Sequence, residues 1–291
     1  MLNKTEYNRL WQRPDDMPLT GRGCVIGIID QPLWREHQGY RDNIQDSQSI
    51  NGARPNDTSW HGTAVTSIAV GEIGVARDAK VVYRAVESGL GREIKLKNNA
   101  CALRDLKAFV EAGNHLDSIS VSLGWWEHEQ GGAENICLSQ WFEDRNIPVF
   151  SCGTTPVFPS GPKGIAEFRL KTGRTKPELG DGVGIPCDAR LIACENPRII
   201  QENDGKLYVH TPEGGFSWAV PFVAGMFALA REAQPGITRK EFTQILNDTA
   251  QKVDFGEGVI LPMADVASFA GALTPNPAAL IKKRVHPHLK K

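Results

Sequence analysis

Three observations predict an α/β fold with a mostly parallel central sheet flanked by helices. Short apolar, β-branched runs recur along the chain, helix-length stretches separate them, and no repeat period or low-complexity segment breaks the alternation. Strands covered on both faces read as continuous apolar runs, and the intervening helices supply the crossovers that parallel pairing needs.

The first strand is the run Cys24 to Ile29, which follows Gly21-Arg22-Gly23 and ends at Asp30. Residues 81–86, 118–123 and 147–151 have the same apolar, β-branched character. Helices are expected over Thr63 to Val70, Asn99 to Ala112 and Ile136 to Arg145. Thr238-Arg239-Lys240-Glu241 is a capping box, in which the Thr and Glu side chains serve each other's backbone N–H, and it opens a helix running to about Asp248. The Gly-, Pro- and Lys-rich stretch from Pro156 to Pro186 reads as surface loops. No linker divides the chain, so the expected organisation is an extension over 1–20, one body over 21–275 and a basic, solvated tail over 276–291.

The 291 residues suffice for a sizeable core, and 41% hydrophobic with 23% charged residues is an ordinary globular composition. With 33 Lys and Arg against 34 Asp and Glu, the net charge is −1. There is no basic excess to announce a nucleic-acid or anionic-membrane partner. The longest nearly uncharged apolar stretch, Trp218 to Ala230, is shorter than the ~18–20 residues a bilayer span requires. No apolar run follows the basic residues of the first segment, so no secretory signal is read and a cytoplasmic location is expected. The six cysteines form no C-x-x-C pair; reduced thiols are expected, with no metal site and no cofactor.

Three local sequences carry chemistry. Asp30 closes the first strand in Ile28-Ile29-Asp30-Gln31, His61 opens a helix in Trp60-His61-Gly62-Thr63, and Ser217 opens another in Gly214-Gly215-Phe216-Ser217-Trp218-Ala219-Val220-Pro221. A parallel sheet gathers the carboxyl ends of its strands along one edge, where an acid at a strand end and groups at helix starts can converge. A serine hydroxyl becomes a good nucleophile when an imidazole takes its proton, and the imidazole needs a carboxylate to hold its tautomer. Ser217 at a helix start also places its backbone N–H where an oxyanion would develop. Singly, Asp30 reads as a turn cap, His61 as a structural histidine and Ser217 as a helix cap; their joint order argues for the trio.

These segments resemble the subtilisin-like serine protease family, in the order Asp, His, Ser. That family has an Asp ending an apolar strand, His-Gly-Thr opening a helix, and Gly-Thr-Ser-Met-Ala-x-Pro followed by Val-Ala-Gly. Ser120-Val121-Ser122-Leu123-Gly124 resembles its Ser-Leu-Gly strand, whose backbone binds extended substrate and walls the specificity pocket. The likeness spans about Gly21 to Ser268. It implies a serine endopeptidase acting on peptide or protein substrates, with Asp30, His61 and Ser217 catalytic and Ser122, Leu123, Gly124 and Gly153 binding substrate. Its alternative is a catalytically impaired, peptide-binding relative; a weaker one is an esterase or acyl-transfer enzyme.

The chain departs from that pattern at several positions. Where the family has Ala-Ala-Gly-Asn, it has Ser151-Cys152-Gly153-Thr154, so Thr154 stands in for the Asn that donates to the oxyanion. Losing such a donor costs about 10²–10³ in rate. Phe216 and Trp218 replace Thr and Met beside the serine, and Ala64 follows Thr63 where the family often has His. The segment from His61 to Ala76 is shorter than in calcium-binding members, so no calcium is expected there. About twenty residues precede the first strand, too few for a folding prodomain, which implies unaided folding or a place in something longer. Trp125-Trp126 edge the cleft or pack inside, Arg92 to Lys97 line the cleft or form a solvated loop, and Cys152 is a redox handle or a small buried residue. A nucleophile elbow at Gly215-Phe216-Ser217-Trp218-Ala219 fails on order, since only the tail's His286 and His288 follow; Gly21-x-Gly23 fails as a dinucleotide loop because it precedes its strand.

Overall fold

A computed structural model describes residues 14–53, 60–87, 91–155, 157–159, 167, 183–185, 190–193, 207–211, 214–254 and 260–273. Strands β1 (Val25–Asp30), β2 (Ile44–Ser49), β3 (Lys80–Ala85), β4 (Ser118–Val121) and β5 (Val149–Ser151) form a five-stranded sheet in the order β2-β3-β1-β4-β5. Every pairing in it is parallel, as the apolar runs predict. Helices α1 (Trp60–Ala69), α2 (Arg92–Glu111) and α3 (Gly132–Glu143) fall between successive strands. The strand order reverses direction between β1 and β4, which opens a crevice at the carboxyl ends of those two strands.

Period-two alternation along β1 and β3 feeds two cores. Ile26, Ile28, Val81 and Tyr83 face one side, against α1 and the helix α4 (Phe216–Ala233). Val25, Ile29 and Val82 face the other, against Leu96, Leu103 and Leu106 of α2 and Phe142 of α3. Helix α4 is apolar on nearly every side because it runs through the interior: Ala219, Val220, Phe222, Val223 and Met226 are fully buried. The apolar stretch measured against a bilayer is therefore a core helix, and no helix among the described residues is long and apolar enough to cross a membrane.

Beyond the main sheet, β6 (Val157–Pro159), β7 (Val183–Ile185), β10 (Gln251–Asp254) and β11 (Ile260–Met263) form a second sheet in the order β10-β11-β7-β6, and β8 (Arg190–Ala193) pairs with β9 (Tyr208–Thr211). Helix α5 (Arg239–Asp248) carries the capping box read from the sequence, with Thr238 accepting from the Glu241 N–H. Its Phe242 packs edge-to-face against Phe227 of α4 and Phe269 of α6 (Val266–Leu273) and at a tilt against Phe150, tying these elements together.

The structure corrects three expectations. Residues 156–186 are not all surface loop, because β6 and β7 lie within them and Val183 and Ile185 are fully buried. Arg92 to Lys97 is not a solvated loop but the first turns of α2: Leu96 is fully buried, while Lys97 bonds Glu93 one turn back and Arg92 bonds Glu129. Helices α1 and α3 begin at Trp60 and Gly132, earlier than expected. Ahead of β1, Met17 and Leu19 are buried in the core, and Glu232 of α4 accepts the Thr20 and Gly21 N–H groups at 2.6 Å. The expected tail over 276–291, Cys187, Cys194 and the stretch before residue 14 lie outside the described residues.

Candidate active site

The crevice at the carboxyl ends of β1 and β4 receives the residues singled out in the sequence. Asp30, the last residue of β1, is 5% exposed, and its Oδ1 lies 2.7 Å from His61 Nδ1. The same oxygen accepts the Gln31 N–H at 2.7 Å, which fixes the carboxylate against the strand end. With Nδ1 facing a carboxylate, the imidazole carries its proton there and leaves Nε2 as an acceptor.

His61 is the second residue of α1, and Gly62 explains how that helix start comes so close to β1. A Cβ at position 62 would strike the Gln31 carbonyl oxygen, and it would lie 2.6 Å from the Tyr83 hydroxyl and 2.8 Å from the Pro32 carbonyl oxygen. Tyr83 donates its hydroxyl hydrogen bond to the Gln31 carbonyl from inside the core. Burial pushes the Tyr83 phenol well above its usual range, and the nearby Asp30 charge adds to the effect, so the hydroxyl stays a donor. Two indoles flank the imidazole, with ring centroids of Trp60 and Trp218 at 5.5 and 5.3 Å from that of His61. Trp218 is buried and Trp60 half-exposed, so one side of the imidazole is sealed and the other borders solvent.

Ser217 is the second residue of α4. The N–H groups of a first helical turn have no intrahelical acceptor, so the Ser217 N–H is available to an anion. Four residues on, Pro221 has no N–H to give the Ser217 carbonyl, and the Ser122 hydroxyl donates to that carbonyl instead, at 3.2 Å. The residue that follows β4 thereby holds the backbone of Ser217. Ser122→Ala is expected to lower kcat about 10-fold with KM little changed, the scale of one lost hydrogen bond, and steady-state kinetics checks it.

Two cavities adjoin along Ser122 and Leu123. One, of about 150 Å³, is bordered by Asp30 and His61, with Lys95 and Asn99 of α2 across it. The other, of about 420 Å³, is bordered by Ser217, Phe216, Gly124, Trp126, Cys152 and Glu167. The three residues read as a triad thus divide between neighbouring cavities: Asp30 and His61 are in contact, and Ser217 stands on the other side of Ser122, its neighbour Trp218 against the imidazole.

The remaining site expectations divide. Ser122, Leu123 and Gly124 border the cavity at Ser217. Gly153 sits against Gly124, whose added Cβ would lie 3.0 Å from the Gly153 nitrogen. Trp125 is buried and Trp126 exposed at the rim, with the Arg92 guanidinium over its ring at 5.3 Å. Thr154 is turned elsewhere: its hydroxyl lies 2.9 Å from Ser151 Oγ and donates to the Val149 carbonyl at 3.2 Å. A hydroxyl attached one bond nearer the backbone than the Asn amide group satisfies itself on its own turn. Cys152 is half-buried on the cavity wall, whereas Cys24 is buried in the core, its thiol pushed up to about 12 by burial and held to the Ala228 carbonyl. No cluster of metal-ligating side chains occurs among the described residues. The indoles that flank His61 adjoin the motif residues in sequence, while no local pattern marks the carboxylate of Glu167.

Comparison with known proteins agrees with this architecture. The family model described as the Subtilase family, Peptidase_S8, matches residues 21–163, about half of the chain. A cold adapted subtilisin-like serine proteinase superposes with a TM-score of 0.58 at 18% identity, over 87% of this chain and 92% of that one. The prenylagaramide maturation protease PagA gives a TM-score of 0.59 at 15% identity, over 92% and 96%. A probable malate:quinone oxidoreductase of Staphylococcus epidermidis is 31% identical over 100 residues, 33% of this chain; the chain spans about one fifth of the length of that curated relative. That similarity is local, whereas the family match covers both β1 with Asp30 and α1 with His61, and the fold likeness runs through nearly the whole chain. The chain belongs to the subtilase family and has the subtilisin-like fold.

Proposed function

We propose that this protein is a serine endopeptidase working through Asp30, His61 and Ser217 and an acyl-enzyme. The observation that carries the reading is the 2.7 Å contact between Asp30 and His61 Nδ1 beside a cavity headed by Ser217. His61 Nε2 takes the Ser217 hydroxyl proton as Oγ bonds to the peptide carbonyl carbon, and the oxyanion faces the Ser217 N–H. The C–N bond then breaks as the imidazolium returns that proton to the leaving amine. Water, deprotonated by His61, attacks the ester and releases the acid, with the proton returning to Ser217. Ser122 to Gly124 present backbone to an extended substrate as an added strand. Turnover on a diverse peptide library, with Ser217→Ala as control, tests the reading: cleavage lost in the variant supports it, and cleavage that survives overturns it.

A second reading, a protein that holds peptides and cleaves them slowly, is favoured by one observation: the Thr154 hydroxyl is already spent on Val149 and Ser151. With the side chain so committed, the backbone carries the oxyanion alone. Thr154→Val is then expected to change kcat by less than about 3-fold, and Thr154→Asn to raise it by up to about 10²-fold. A large loss in Thr154→Val would instead assign the hydroxyl to the oxyanion.

A further inference from the structure

Resting on the peptidase reading, we propose that Glu167 selects substrates with a lysine or arginine on the acyl side of the scissile bond. The cavity of about 420 Å³ opens directly at Ser217, so the residue whose carbonyl is attacked points its side chain there. Leu123, Trp126 and Phe216 give it apolar walls, and Glu167 is the only charged residue among the described residues that line it. Apolar walls with one carboxylate fit a side chain made of an alkyl stem and a cationic head.

The placement of that carboxylate is built rather than incidental. Glu167 Oε2 accepts the Phe216 N–H at 2.7 Å, at the start of α4, and both carboxylate oxygens lie over Gly215 where any Cβ would meet them. Oε1 has no hydrogen-bond partner among the described residues. The Arg92 guanidinium on the outer face of Trp126 is held by Glu129, whose carboxyl is kept below its usual range chiefly by the Arg92 hydrogen bond. It therefore does not neutralise Glu167.

The position of the charge also affects the chemistry. A carboxylate on the Phe216 N–H sits one residue from the Ser217 N–H, where negative charge develops in the transition state, and like charges in a half-buried site repel. A substrate cation placed between them removes that repulsion. Selectivity for Lys or Arg is thus expected in kcat as well as in KM.

The test uses peptides identical except on the acyl side of the scissile bond, where they carry lysine, its uncharged counterpart norleucine, or glutamate. In the wild type, kcat/KM for lysine exceeds that for norleucine by at least about 10-fold, as a charge-assisted contact implies. In Glu167→Gln, which still accepts the Phe216 N–H, the ratio falls to about one; in Glu167→Lys the glutamate peptide becomes the better substrate. Circular dichroism and thermal unfolding establish that each variant is folded. A wild-type ratio of one or less, or a ratio unchanged in Glu167→Gln, overturns the proposal and leaves Glu167 a helix cap. If no peptide is cleaved, the peptidase reading fails, and calorimetric binding to Ser217→Ala judges the cavity separately: equal affinity for the lysine and norleucine peptides overturns the selection.

Discussion

Ser217→Ala is expected to lower peptide turnover by about 10⁶-fold while leaving the protein folded and able to bind peptide. In the proposed mechanism Oγ is the atom that attacks, and without it His61 and Asp30 have nothing to activate, so the loss approaches that of deleting the whole constellation. What survives is the modest acceleration over water supplied by the oxyanion site and by binding. The fold is spared because the hydrogen bond that anchors this position to Ser122, just past β4, runs through the Ser217 carbonyl, which alanine keeps. Stability is therefore expected to shift by less than about 0.5 kcal/mol, as for substitutions that break no buried contact. Single-turnover kinetics and denaturant unfolding check the two halves of this expectation.

Asp30→Ala is expected to lower kcat by about 10⁴-fold with a smaller change in KM. The contacts to His61 Nδ1 and to the Gln31 N–H both end on Oδ1, so alanine removes them together. The imidazole is then no longer held with its proton on Nδ1 and can carry it on Nε2 instead. That tautomer cannot take the proton from Ser217. The carboxylate that would stabilise the imidazolium is lost at the same time. Steady-state kinetics of the folded variant checks this, and a loss of less than about 10-fold would show that His61 does not depend on Asp30 for its tautomer.

Much of this architecture was legible in the sequence where a local pattern reports a local cause. The run ending at Asp30 is apolar because β1 is central and covered on both faces, and the capping box is written into four adjacent residues. His61-Gly62 was readable because the glycine is required by the closeness of α1 to the Gln31 and Pro32 carbonyls. β2 was missed because Ile44–Ser49 is a largely polar edge strand, and β6 and β7 because three residues are too few to reveal a period of two. The start of α2 reads as loop because its charges mask the single buried Leu96.

The site divides along the same line. Asp30, His61 and Ser217 each carry a short signature of the turn or helix start that positions them. The direction of the Thr154 hydroxyl, the Ser122 bond that replaces the missing Pro221 N–H, and the arrival of Glu167 at Phe216 are set by distant segments meeting in space. Residue type at those positions gives the chemistry available and not the partner.

The most direct test of the shared action of Asp30, His61 and Ser217 is labelling by a fluorophosphonate, read by intact mass and by peptide mapping. The account predicts one adduct per chain, on Ser217, formed by the folded wild type and lost in His61→Ala. Folded protein that stays unmodified, an adduct on another residue, or labelling that persists at full rate without His61 would contradict it.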